Sequence, residues 1–327
     1  MTRINPTSLA RRKLLGAAMA LAATHPLRAQ GAKRPIRLIV PFPAGGLHDL
    51  IARAVAEPWA SLLDQPVMVE NRPGASGNLG AEAVAHAAPD GLTLLWAQGS
   101  THGANSTFFR RLPYDPLADF APVGLVSTTP LVLLGRTDLE ADDLDGLITL
   151  GQARPGRLNI GTGGVGTTPH MAAALFARHT GITWTTVPYC GNAAALNDLL
   201  SRHIDLLFEA VHVALPLVRQ GRVRAYAITG AERSSLLPDV PTAQAVLGHF
   251  RVTIWGGVAA PAGTAPAIVE RLSRSLLGLD GVAPLKARLG ELGVALRPAD
   301  PAVMRAVTIA DIARWRELFE DAGVTVE

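Results

Sequence analysis

The chain has one cysteine, Cys190, among 327 residues, three lysines against 27 arginines, and aromatic side chains at only 5%. A lone cysteine excludes an internal disulfide, so buried apolar area has to hold the folded state together. With so little lysine and no basic block beyond the first thirty residues, there is no positive track to follow a phosphate backbone, which excludes nucleic acid as a partner. Long apolar runs are scarce too. The uncharged run at residues 14–24 is about half the roughly 20 residues that a membrane-spanning helix needs.

That run follows Arg11-Arg12-Lys13 and leads to Leu27-Arg28-Ala29, the basic, apolar and small-residue regions of a cleavable export signal. Cleavage is expected after Ala29, giving a signal at residues 1–29 and a mature chain in the periplasm. Paired arginines ahead of two leucines also suggest twin-arginine export, although Ala10 stands where Ser or Thr usually precedes the pair, so the route is left open. Residues 1–29 carry Arg3, Arg11, Arg12, Lys13 and Arg28 and no acid, so their removal takes the formal charge from +3 to −2. The remaining length suffices for one large or two ordinary domains.

Short β-rich runs alternate with longer helical patterns: residues 36–40 then 49–63, 67–70 then 79–86, 158–160 then 169–180, and 204–208 then 215–220. This alternation predicts an α/β fold with parallel sheets. Residues 113–130, with Pro113, Pro116, Pro122 and Pro130, read as a crossing segment and residues 229–241 as its return. Lobe 1 is then residues 30–130 plus 229–327, with residues 131–228 inserted as lobe 2. In the last helix Val303, Val307, Ile312, Trp315, Leu318 and Phe319 form the expected apolar stripe. Ligands of such proteins sit beyond the carboxyl ends of the strands, in the crevice.

Four loops there are candidates. The first strand runs through Gly45-Gly46-Leu47-His48-Asp49 into a helix; adjacent glycines let backbone approach a ligand, and a helix start favours an anion. An ionised Asp49 repels a carboxylate, so it is read as organising the loop or binding water or an amine. Residues 71–80 form a polar turn in which Arg72 is expected to bond a carboxylate of its own lobe. Gln98-Gly99-Ser100-Thr101-His102 closes the third strand, with Ser100, Thr101 and His102 as possible donors. Gly161-Thr162-Gly163-Gly164-Val165-Gly166 matches G-x-G-x-x-G, but a dinucleotide site expects an acid about 20 positions later, where Thr185 to Cys190 supply none. It is read as an anion or carboxylate cradle, with Thr167 and Thr168 as donors and His170 in the following turn; a nucleotide-dependent oxidoreductase is the rival.

No G-x-S-x-G elbow, H-E-x-x-H or Walker loop occurs, and no catalytic residue, cofactor or metal site is assigned. Cys190 is expected to be a passive thiol. Glu209 and His212, three apart after a predicted strand, either reach the cleft or form a solvated helix start.

The segments PIRLIVPFPAGGLHDLIAR, QPVMVENRPGASGNLGAEAVAHAAPDGLTLL, LPYDPLADFAPVGLV, PGRLNIGTGGVGTTPHMAA, VPYCGNAAALNDLLSRHIDLLF, LLPDVPT and WGGVAAPAGT, in this order, resemble the Bug or TctC family of extracytoplasmic solute receptors. The resemblance implies a type II periplasmic-binding-protein fold, two α/β lobes with a ligand cleft between them, closing on small carboxylates such as di- and tricarboxylates, acidic amino acids or aromatic acids. It implies binding by loop amides, hydroxyls and waters, at Gly45, Gly46, Asp49, Ser100, Thr162, Gly163, Thr167 and His170, while Asp205 is expected to be structural. The partners implied are subunits of a tripartite tricarboxylate transporter, with a sensor kinase as the alternative, and the receptor is expected to be a monomer. His48, Thr162, Cys190 and residues 209–212 depart from the family pattern, so His48, His102, Cys190, Glu209 and His212 are candidates for specificity.

Overall fold

The computed structural model describes residues 33–322; the export signal expected at residues 1–29 lies outside them. The strands are β1 (Ile36–Val40), β2 (Val67–Asn71), β3 (Thr93–Gln98), β4 (Phe120–Gly135), β5 (Asn159–Thr162), β6 (Thr185–Pro188), β7 (Leu206–Ala210), β8 (Arg224–Ile228), β9 (Thr253–Pro261) and β10 (Ala295–Ala299). The helices are α1 (Leu47–Leu63), α2 (Asn78–Ala85), α3 (Asn105–Phe108), α4 (Leu144–Ala153), α5 (Thr168–Thr180), α6 (Asn192–Leu200), α7 (Val211–Arg219), α8 (Ala243–Leu247), α9 (Pro266–Leu277), α10 (Ala283–Glu291) and α11 (Pro301–Ala322). The sheet runs β2-β1-β3-β9-β4-β7-β5-β6, with β8 and β10 also on β4.

β1 is parallel to β2 and β3, and β5 to β6 and β7, each joined through a helix as a βαβ unit requires. β4 carries both halves. Its first part pairs antiparallel with β9 and β10 and its last part, from Leu131 or Val132 to Gly135, with β7 and β8. The crossing segment expected at residues 113–130 is thus a paired strand from Phe120 onward. Pro122 is tolerated because the register shifts between Pro122 and Gly124, a bulge that needs no N–H from proline. Thr229 stitches the return, accepting from Leu131 N at 2.8 Å and donating to Val252 O at 2.5 Å.

Each half has its own apolar filling. Trp59 of α1 packs with Leu94, Trp96 and Val258 in one half, and Phe176 of α5 with Ile160, Leu206 and Phe208 in the other. Burial of each such side chain contributes about 1.5–3 kcal/mol. α11 corrects the sequence expectation: its buried face is Met304, Thr308, Asp311, Trp315 and Leu318, while Val303 is exposed and the Phe319 side chain lies outside the described residues. An apolar count misses this face because it contains Asp311, whose Oδ2 accepts Trp255 Nε1 at 2.6 Å.

Candidate functional site

The loop from β1 to α1 is organised around a carboxylate. Gly45 has φ +83, a left-handed conformation that glycine adopts at little steric cost. Its N–H donates to Asp49 Oδ2 at 2.8 Å, Arg53 Nε reaches both Asp49 oxygens at 2.9 and 3.0 Å, and Asn71 Nδ2 donates to Oδ1 at 2.9 Å. Burial works to raise the Asp49 pKa, but the bonds from Arg53, Gly45 and Asn71 outweigh it and hold the carboxyl below its usual range. Both oxygens are thus occupied, and Asp49 closes the loop instead of facing a ligand. The Gly45 amide is occupied likewise, and that of Gly46 points to Pro43 O at 3.4 Å. The donors left for an anion are the amides of the first turn of α1, beginning with Leu47 and His48. Arg53 and Asn71 were missed, although Asp49 and Arg53 stand at readable i, i+4 spacing.

His48 is fixed by a contact across the sheet. Gly256 in β9 has no side chain, and a Cβ there would overlap the indole of Trp96. The ring therefore lies over Gly256 and directs Nε1 to His48 Nδ1 at 3.1 Å. Because Nδ1 accepts, the proton of the neutral imidazole sits on Nε2, and burial lowers the pKa of His48 to about 4. His48 is thus a neutral donor. Gln98, Gly256 and Ser127 occupy one row across β3, β9 and β4. Gln98 Nε2, Ser127 Oγ and Thr129 Oγ1 are buried without a hydrogen-bond partner, and leaving such groups unmet costs about 1–3 kcal/mol each.

The turn after β2 is strained and rigid. Ala75 and Ser76 have φ 47 and 56, between Gly74 and Gly77, also at positive φ; a non-glycine residue held there stores on the order of 1 kcal/mol or more. It is held because Asn105 Nδ2 donates to Ser76 O and Asn78 Oδ1, which also accepts from Tyr114 Oη. Arg72 bonds Glu70, at 2.7 Å.

The glycines of the loop after β5 serve close packing. A Cβ on Gly163 would stand 2.6 Å from Asn192 Oδ1, and one on Gly166, at φ +79, would meet Phe108 at 3.0 Å. Thr167 Oγ1 donates to Gly164 O at 2.8 Å, and Gly166 N donates to His170 Nδ1 at 3.2 Å. The proton of His170 is thereby left on Nε2, and burial lowers its pKa. Thr162 Oγ1 is buried without a hydrogen-bond partner. Thr168 Oγ1 lies 3.7 Å from where a Cβ on Gly99 would stand, so the loop after β3, which carries half-buried Ser100, meets the loop after β5.

The other candidates separate. His102 is buried against Phe120, with centroids 4.8 Å apart, and burial pushes its pKa down to about 3. Cys190 is exposed after β6. His212 bonds the Leu292 backbone, and its Nδ1 is buried without a hydrogen-bond partner. Asp205 is structural, accepting from Arg136 Nε at 2.8 Å and Asn159 N at 2.7 Å. Glu209 is buried at the end of β7, its oxygens accepting from Ala210 N at 2.7 Å and Asn192 Nδ2 at 3.1 Å. Burial raises its pKa to about 7, against these two bonds. Asn192 Oδ1, beside Gly163, has no hydrogen-bond partner.

The family model described as "Tripartite tricarboxylate transporter family receptor" matches residues 51–320. Protein BugT of Bordetella pertussis is 36% identical over 298 residues, covering 90% of this chain and 91% of that protein. The solved structure of R. palustris Rpa4515 with adipate is 32% identical with a TM-score of 0.79, covering 90% of this chain and 99% of that one. MatC from Rhodopseudomonas palustris, with bound malate, is 34% identical with a TM-score of 0.74, covering 90% and 99%. The two-lobed type II periplasmic-binding-protein fold expected from the sequence is the fold observed. The chain belongs to the tripartite tricarboxylate transporter receptor family, whose members are periplasmic solute-binding proteins and not enzymes.

Proposed function

We propose that this receptor works in the periplasm, captures a small carboxylate between its lobes and delivers it to a tripartite tricarboxylate transporter. The observation that carries the reading is the chemistry of the site. The donors that these loops and strands present are neutral: the first-turn amides of α1, Nε2–H of His48 and His170, Gln98 Nε2, and the hydroxyls of Ser100, Ser127, Thr129, Thr162 and Thr168. The nearby guanidinium, Arg53, is tied to Asp49 and Asn71. Such a site holds an anion by several hydrogen bonds of modest strength. Lobe 1, residues 30–130 and 229–327, supplies the first-loop donors, and lobe 2, residues 131–228, supplies Thr162, Thr168 and His170. Closure follows because the ligand touches both lobes at once only in the closed form. Asn192 Oδ1, an acceptor without a protein partner, selects a ligand that also carries a hydroxyl or amine.

The relatives that hold adipate and malate guide the test. A thermal-shift screen of ligand-stripped protein with malate, succinate, adipate and nicotinate is expected to raise the melting temperature for at least one acid, and more for malate than for succinate. No shift with any of them overturns carboxylate capture. Equal shifts for malate and succinate remove only the role given to Asn192.

A further inference from the structure

A second concave surface adjoins the loop after β3, since Trp255 and Asp311, which line it, stand 3.6 and 3.4 Å from where a Cβ on Gly99 would be. The sheet face formed by Thr128 of β4, Trp255 of β9 and Leu296 of β10 meets α11 around a cavity of about 630 Å³. It adjoins a trough of about 430 Å³ beside residues 230–235 and 290–295, and the two share Thr128, Arg251, Thr253 and Arg297. The trough therefore runs along the connection between β8 and β9, where Thr229 ties the two halves together. The floor of the larger cavity is apolar, with Leu125, Trp255 and Leu296 buried.

Arg251 and Arg297 are exposed where the two cavities join, and neither makes an ion pair or hydrogen bond to another described residue. Arg314, which also lines the larger cavity, stands 3.6 Å from Asp311, whose other oxygen is bonded to Trp255. Asp280 and Glu232 lie in the two linings as well, as does Arg233, which donates to Pro238 O, so four arginines face three acids and only Arg251 and Arg297 are without a protein partner among them. Each offers a planar fork of donors matched to a carboxylate. Two open, exposed guanidinia beside an apolar floor suit a chain with several contact points better than one small anion, since each exposed pair contributes only about 0.2–1 kcal/mol alone.

We propose that this trough is a docking site for an extended acidic protein segment, in which carboxylates flanking a large apolar side chain sit on Arg251 and Arg297 while that side chain enters the floor beside Trp255. Residues from both sides of the β8–β9 connection line it, so the docked segment reads the relative setting of the two halves of the sheet.

The test uses the full-length mature chain, a fluorescein-labelled peptide with one Phe between two Glu-Glu pairs, and peptides with Phe→Ser or Glu→Lys exchanges. Binding of the acidic peptide is expected to fall at least tenfold in the double variant Arg251→Glu, Arg297→Glu, while the variant's melting temperature and its response to malate, adipate and nicotinate stay unchanged. Affinity is also expected to drop severalfold with Phe→Ser. Undiminished binding to the double variant overturns the proposal. So does displacement by millimolar citrate with no dependence on Phe, which assigns the trough to small anions, and so does the absence of any peptide binding.

Discussion

Glu209 gives the account a quantitative handle. Its carboxyl has an ordinary pKa of 4.5 and reaches about 7 in the folded chain through burial. At 1.36 kcal/mol per pH unit, keeping this group ionised in the folded state costs roughly 3 kcal/mol once the pH is well above 7. The sign follows from proton counts. Between pH 4.5 and 7 the folded chain holds a proton that the unfolded chain has lost, so stability falls as the pH rises through this window and levels off above it. The perturbation is Glu209→Gln, which keeps the shape and an acceptor for Ala210 N and can turn its amide toward Asn192 Oδ1. Comparing the variant with the native chain cancels the titration of all other groups. Urea unfolding at pH 5.0 and 8.5 should show the variant gaining roughly 2.5 kcal/mol relative to the native chain between the two values. An unchanged difference at the two pH values would refute the buried, half-protonated carboxyl.

Three further outcomes are expected. Gly256→Ala places a methyl into the Trp96 ring, so it should destabilise the fold by about 1–3 kcal/mol and release His48, which imidazole NMR would report as a His48 pKa moving up toward 6.5; an unmoved pKa removes the Trp96 linkage. Gly45→Ala, at φ +83, should cost about 1 kcal/mol, whereas Gly46→Ala, whose Cβ would lie an ordinary 3.5 Å from Pro43 O, should be close to neutral; chemical denaturation of both variants checks the contrast. Carboxylate affinity should be flat from pH 8 to about 6 with respect to His48 and fall toward pH 4, where protonation breaks the bond from Trp96 Nε1; calorimetric titration across that range would show it, and binding that strengthens steadily below pH 5 would contradict a neutral His48.

What the sequence revealed followed local pattern. β1 is a run of Ile, Leu and Val, β3 and β7 pair leucines with an aromatic residue, and the loops after β1, β3 and β5 announce themselves by glycine near Ser, Thr or His. What it hid depends on pairings between distant residues. Gln98, Ser127 and Thr129 look like ordinary strand positions until the register of β3, β9 and β4 aligns the first two across Gly256. Trp96 and His48 are 48 residues apart. Asp49 and Gly45 were legible as a loop but not as partners whose mutual bond leaves the Leu47 and His48 amides as the free donors. The proline-rich stretch is legible as a crossing but not as a paired strand, because proline argues against one; the bulge beside Pro122 removes that argument and cannot be seen in one dimension. The apolar stripe of α11 was displaced for a related reason, since Asp311 is buried through its bond from Trp255 Nε1.

The most direct test of the central claim is isothermal titration of the ligand-stripped mature chain with malate, adipate and nicotinate, alongside the paired variant Ser127→Ala, Thr162→Val. The account predicts one-site binding of at least one acid with a negative heat-capacity change, from burial of the ligand between the lobes, and a loss of roughly 1–3 kcal/mol in the variant, from removing two hydroxyls that no protein group bonds. Binding of equal strength in the native chain and the variant would contradict the site described, and no heat with any of the three acids would contradict carboxylate capture itself.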